Sequence, residues 1–145
     1  MKLISGCIIE KDGKILMVQE GLAHCYGQWN FPAGHVDELE KITNAAIREV
    51  KEETGLEVKL KGVLPICEIK KKSEIHVIIR FTAEIIGGEI NFDGEEILDA
   101  KWFSIEELEN MPEDKLRDYK LFKSILNSFK ENKIYSLELF NNEIF

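Results

Sequence analysis

Apolar positions along the chain recur with period two in some stretches and near 3.6 in others, and the switches outline the elements. Residues 4–10 and 14–19 are short runs rich in Ile, Leu and Val, joined by Lys11-Asp12-Gly13. Asp-Gly between such runs is a hairpin signal, which predicts two antiparallel strands. Residues 21–28 read as a loop, and 29–34 as a short extended piece closed by Pro32 and Gly34. From Thr43 to Thr54 the pattern turns helical, with Thr43 or Asn44 as N-cap, a start a residue or two earlier as the alternative, and Gly55 as the stop. Residues 56–68 and 74–86 are predicted strands. Ile75, Val77, Ile79 and Phe81 share one face of the second, and His76, Ile78, Arg80 and Thr82 form a mixed opposite face.

Beyond the Gly87-Gly88 turn, residues 89–92 are predicted as a short strand, 93–99 as an acidic loop and 101–103 as a last strand. Ser104 with Glu107 three residues later is a capping box that opens a helix over 105–110, ended by Met111-Pro112. Residues 118–130 form an amphipathic helix with Leu121, Phe122, Ile125, Leu126 and Phe129 on one side. The apolar tail, 134–145, reads as an edge strand, a docking segment or a dimer contact.

At 145 residues the chain suits a single domain, and one of this size buries about 68–70% of the surface its unfolded chain exposes. The three cysteines, Cys7, Cys25 and Cys67, are an odd set without C-x-x-C spacing. They are read as reduced thiols in a cytoplasmic protein. No signal-peptide pattern opens the sequence and no apolar run reaches membrane-spanning length, so neither secretion nor a membrane partner is expected. The net charge of -8 repels phosphate backbones, which disfavours nucleic acid as the main partner. The same field repels a nucleotide unless a cation lies between them.

Glu49, Glu52 and Glu53 fall at i, i+3 and i+4, so a helix puts the three carboxylates on one face. Ile47, Val50 and Thr54 lie on the other side and can pack on a sheet. Taken alone, a solvated acidic face explains the glutamates well, since exposed like-charge pairs cost only about 0.2–0.5 kcal/mol each. A Mg²⁺ site is the sharper reading, because hard divalent cations take carboxylate oxygens together with water and substrate phosphate.

The wider spacing decides between them. The segment GHVDELEKITNAAIREVKEETGL, from Gly34 to Leu56, resembles the Nudix box. That box is a Gly, five residues, a Glu, seven residues, Arg-Glu, an apolar residue, any residue, Glu-Glu, any residue, Gly and an apolar residue. Gly34, Glu40, Arg48, Glu49, Val50, Glu52, Glu53, Gly55 and Leu56 all agree with it.

The resemblance implies a single Nudix hydrolase domain, an α/β/α sandwich with a mixed central sheet. It implies that Glu49, Glu52 and Glu53 bind Mg²⁺, with Mn²⁺ as the alternative, and that the Gly34 carbonyl adds a ligand. Arg48 would hold a glutamate in place, with Glu40 a candidate partner; an ordinary helix pair with Glu52 is the simpler account. A further catalytic acid is expected in the loop before the last strand, Glu96 first and Glu95 second. Tyr26 and Trp29 precede the box where substrate contacts are common in the family. Either aromatic could stack on a ring, although Trp29 also suits a packed anchor. Arg80 is a candidate phosphate partner, with a surface salt bridge as the alternative.

The implied activity is hydrolysis of a diphosphate linkage in a nucleoside di- or triphosphate or a nucleoside diphosphate derivative. Ala33 stands where many members have Gly, so Pro32-Ala33-Gly34-His35 resembles a variant found in phosphohydrolases of thiamine-pathway pyrimidine phosphates. Lys71 occupies the position where an ADP-ribose subgroup carries Pro, and Lys72, Ser73 and Glu74 the window where a dinucleoside polyphosphate subgroup carries Tyr. A non-catalytic nucleotide-binding module on the same fold is the competing class, and the expected partners are a nucleotide-like small molecule and, through the apolar tail, a second copy of the chain.

Overall fold

In the computed structural model, residues 1–144 are described. The chain opens with β1 (Lys2–Lys11) and β2 (Lys14–Glu20). Asp12 and Gly13 between them have φ of 52° and 76°, the left-handed pair that a two-residue hairpin of native twist requires. Two short strands follow, β3 (Trp29–Asn30) and β4 (Ala33–His35), then α1 (Ile42–Thr54). The rest runs β5 (Leu56–Val63), β6 (Cys67–Lys71), β7 (Glu74–Gly88), β8 (Ile97–Ser104), α2 (Ile105–Glu109) and α3 (Tyr119–Lys130).

The strands make one mixed sheet in the order β3-β2-β1-β7-β5, with β4 added to β1, β6 to β7 and β8 to β2. The pairing of β1 with β7 is parallel, from Lys2 beside His76 to Ile9 beside Ala83. A parallel pair at the centre of a sheet is covered on both faces, which explains the unbroken buried run at positions 5–9 of β1. Alternation along it sends Cys7 and Ile9 into one core, with Val50 of α1, and Ile8 into the other, with Phe122, Ile125 and Leu126 of α3. Helices therefore flank a mixed sheet on both faces, the arrangement expected from the sequence.

Four local expectations are corrected. The N-cap of α1 is Lys41, without a side-chain cap bond, so the helix takes the earlier start offered as the alternative; the Thr43 hydroxyl instead accepts from the Asn142 amide. Residues 56–68 are not one strand, because Pro65 interrupts them and the chain re-enters the sheet as β6 on the opposite side of the bend. Residues 89–92 are not a strand. Gly88, with φ of 79°, ends β7, and Asn91 N–H then caps the Thr54 carbonyl of α1. The last strand is longer than 101–103, since it runs from Ile97 to Ser104 along β2, with a bulge that leaves Leu98 unpaired. In the tail, Tyr135 exchanges two backbone hydrogen bonds with Val63, at 2.9 and 2.8 Å, and Phe140 packs on Phe81.

Candidate active site

β4, Asp37 just after it and the acidic face of α1 form one wall of a cleft of about 360 Å³. Gly34, Glu49, Glu52, Glu53, Arg80 and Glu96 all line it. A larger open groove of about 1000 Å³ adjoins it between β6 and α3. That groove contains none of the box residues, so the chemistry is assigned to the smaller cleft.

The helix sets the carboxylates at different depths. Glu52 is the most open of the three, Glu49 is buried and Glu53 is half-buried. Glu53 accepts the Ala33 N–H at 2.9 Å. Burial pushes its carboxyl well above the ordinary range, reinforced by Glu20 and Glu49 and opposed by the Ala33 N–H and Arg80. Glu49 is raised as well, chiefly by burial and against the pull of Arg48. Gly34 lies directly against the Glu49 carboxylate, and a Cβ there would overlap its carbon and both oxygens. Only glycine allows this approach of backbone to acid.

Arg48 organises the acids rather than pairing with Glu52 alone. It bonds Glu40 through two nitrogens, at 2.7 and 2.9 Å, Glu49 at 2.8 Å, Glu52 at 3.1 Å and the His35 carbonyl at 3.0 Å. Its hydrogen bonds hold the Glu40 carboxyl below the usual range.

Among the described residues no three Asp, Glu, His or Cys side chains are gathered tightly enough to hold an ion as they stand. Arg48 and the Ala33 N–H take the lone pairs a cation would use. The donor set nonetheless fits a hard divalent ion. It is all oxygen, three carboxylates with a glycine backbone brought against one of them, and it concentrates negative charge where burial already disfavours it. Glu49, Glu52 and Glu53 with the Gly34 carbonyl are therefore the residues that would hold it.

The structure separates the remaining sequence candidates. Glu96 lines the cleft and Glu95 does not; Asp93 shapes their loop by accepting the N–H groups of Glu95 and Ile97. Arg80 is 3% exposed, so the surface salt bridge is ruled out by its burial. It reaches the Pro32 and Phe31 carbonyls at 3.3 and 3.5 Å, and burial draws its guanidinium down to about 10. Trp29 is buried edge-on against Phe103 and lies outside the cleft. Tyr26 is exposed and also outside it.

Two cleft residues were missed in the sequence. Glu20, 5% exposed at the end of β2, accepts from Arg117 at 3.2 Å and from Asn30 at 3.4 Å. Arg117 comes from the turn before α3, nearly a hundred residues away, with its own N–H fixed to the Trp29 carbonyl. Neither has a periodic signature; only the tertiary fold brings them together.

A family model described as the NUDIX domain matches residues 3–125. The chain belongs to the NUDIX domain family. It is 34% identical over 122 residues to the ADP-ribose pyrophosphatase of Methanocaldococcus jannaschii, covering 81% of this chain and 72% of that one. It is 32% identical over 131 residues to Nudix hydrolase 5 of Arabidopsis thaliana, covering 86% of this chain and 43% of the plant protein. Against the zebrafish (Danio rerio) 8-oxo-dGDP phosphatase NUDT18 it is 33% identical over 104 residues, 70% of this chain and 31% of that one. The chain thus spans under half the length of the last two relatives. Among solved structures, a NUDIX hydrolase from Nitrosomonas europaea superposes with a TM-score of 0.83 at 26% identity, covering 97% of this chain and 95% of that one. Among the described residues no helix is long and apolar enough to cross a membrane.

Proposed function

We propose that this NUDIX chain is a Mg²⁺-dependent hydrolase that cleaves a diphosphate linkage in a nucleoside di- or triphosphate or a nucleoside diphosphate derivative. The observation that carries the reading is the placement of Glu49, Glu52 and Glu53 on one face of α1, in a cleft that also presents Arg80 and Arg117. Acids on one wall and guanidinium groups in the same cleft suit a ligand whose phosphates bind cations on more than one side.

A bound divalent ion would polarise the phosphoryl oxygens and lower the pKa of the attacking water. The chain's own groups do the rest. Arg48 and Glu40 fix the orientation of Glu49 and Glu52. One carboxylate of the set, Glu53 or Glu96 among them, takes the water proton as its oxygen bonds to phosphorus and the bridging P–O bond breaks. Arg80 offers a buried cation to the substrate, in place of the stacking contact that Tyr26 and Trp29 would supply only from outside the cleft.

Phosphate or pyrophosphate release from a nucleotide panel with Mg²⁺, widened to ADP-ribose and pyrimidine diphosphates, tests this. Ala33-Gly34-His35 is the reason for the pyrimidine arm, and the M. jannaschii relative for ADP-ribose. Turnover of at least one compound is expected, and Glu52→Gln and Glu53→Gln should each reduce it by about 10²–10⁴-fold. Near-normal turnover in both variants would move the metal elsewhere. Tight nucleotide binding with no turnover of any compound would make the chain a binding module.

A further inference from the structure

The face of β7 that borders the cleft carries His76, Ile78 and Arg80 in alternation. Two buried side-chain atoms in the described chain hydrogen-bond no protein atom, and both are on this face: His76 Nδ1 and Arg80 Nε. Buried polar atoms are nearly always paired, so two orphans on one face of one strand, both on residues lining one cleft, point to a ligand that pairs them. Four residues along a strand span about 13 Å.

The two ends differ in character. Arg80 lies beside Gly6 in the β1 register, next to Ala33 and within the field of Glu53. His76 lies beside Lys2, at the far end from the acids. The cleft lining includes Ile4, Ile78, Ile69 of β6 and Leu121 and Ile125 of α3, together with the Lys71–Asp118 ion pair. A guanidinium can only donate, so Arg80 Nε takes an anionic or carbonyl oxygen. His76 Nε2 lies 3.7 Å from the Glu74 carboxylate, and Nδ1 donates or accepts a hydrogen bond according to the tautomer.

We infer that His76 is a specificity-determining residue of a nucleobase subsite. The ligand lies along β7 with a phosphate at Arg80, its flat ring between Ile78 and the α3 side chains, and a polar atom of its outer edge on His76 Nδ1. This rests on the nucleotide reading above and adds the place and chemistry of base recognition. A branched apolar wall accepts a planar ring, and a single hydrogen-bonding atom at its end rewards a base with a polar edge over a bare sugar phosphate.

The test is equilibrium binding to the intact chain without turnover, by calorimetry, of AMP, CMP, GMP and UMP against ribose 5-phosphate. At least one nucleotide should bind about tenfold or more tighter than ribose 5-phosphate, the scale of one hydrogen bond plus ring burial. His76→Ala and His76→Phe should each erase most of that margin and leave ribose 5-phosphate affinity unchanged, whereas Arg80→Met should weaken every ligand. Circular dichroism checks that each variant folds, and the wild-type margin stands as a test by itself. Ribose 5-phosphate binding as tightly as every nucleotide, or a margin that survives both His76 changes, overturns the subsite. A hydrolase panel without turnover, combined with a His76-dependent margin, would sink the hydrolase reading and leave the subsite standing.

Discussion

Arg48 grips Glu40 with two nitrogens at once, Nε–H donating to Oε2 at 2.7 Å and Nη2–H to Oε1 at 2.9 Å. The remaining Nη1 is then free to reach Glu49 and Glu52. Glu40 thus sets the position of Arg48, and Arg48 sets two of the three candidate ligands. Glu40→Gln keeps the shape but removes the charge that holds the fork. Metal affinity and turnover are expected to fall about 10–100-fold, the range for groups that orient metal ligands. Arg48→Lys should be no milder, because an ammonium cannot make the paired contact. The Mg²⁺ dependence of turnover, checked by Mn²⁺ binding, reads both, and unchanged metal affinity in Glu40→Gln would contradict the arrangement.

Gly34→Ala tests the cradle directly. The added methyl would overlap the Glu49 carboxylate, and Gly34 is not among the glycines with positive φ. The penalty is therefore the clash with Glu49 and not backbone strain. Turnover should drop by at least about tenfold. In a Glu49→Ala background the same change should add little, since the group it displaces is gone. Equal losses in both backgrounds would place the effect in the backbone instead.

The carboxylate face and the glycine against it were legible because both are local, a helical spacing and a glycine at a fixed offset. The hairpin at Asp12-Gly13 and the Ser104–Glu107 capping box were legible for the same reason. What stayed hidden depends on distant chain segments. Arg117 reaches Glu20 across 97 positions, and no periodicity records that. Arg80 sits on a strand face that reads as mixed in the sequence, yet it is buried against Phe31 and Pro32. Residues 89–92 have strand-like apolar content, but the hydrogen bond from Asn91 to the end of α1 claims the segment.

Phe122 joins the cleft to the core beneath it. It is 3% exposed and stacks on Phe31 with ring centres 5.1 Å apart. Phe122→Ala should cost about 3–5 kcal/mol by loss of buried area and an unfilled cavity, whereas Ile125→Val, one turn on, should cost about 0.5–1.5 kcal/mol. Urea denaturation midpoints at constant m-value read the two. A Phe122→Ala loss no larger than that of Ile125→Val would mean α3 closes over the gap.

The capping box gives a pH dependence remote from the cleft. Ser104 Oγ accepts the Glu107 N–H at 3.0 Å, and Glu107 Oε1 accepts the Ser104 N–H at 2.9 Å. The Ser104 backbone bond holds the Glu107 carboxyl below the usual carboxylate range. A carboxyl depressed in the folded state contributes stability that is complete above its unfolded pKa and is lost as pH falls through its folded pKa. Glu107→Gln keeps an acceptor but has no charge to titrate. Its melting temperature should lie below wild type at pH 7, and the gap should close as pH drops from about 5 toward 3, the window below the unfolded carboxylate value. Ser104→Ala removes the other half of the box and should cost about 1 kcal/mol, with part of the Glu107 dependence lost alongside it. A gap that stays constant across that range would show that Glu107 acts through its shape alone.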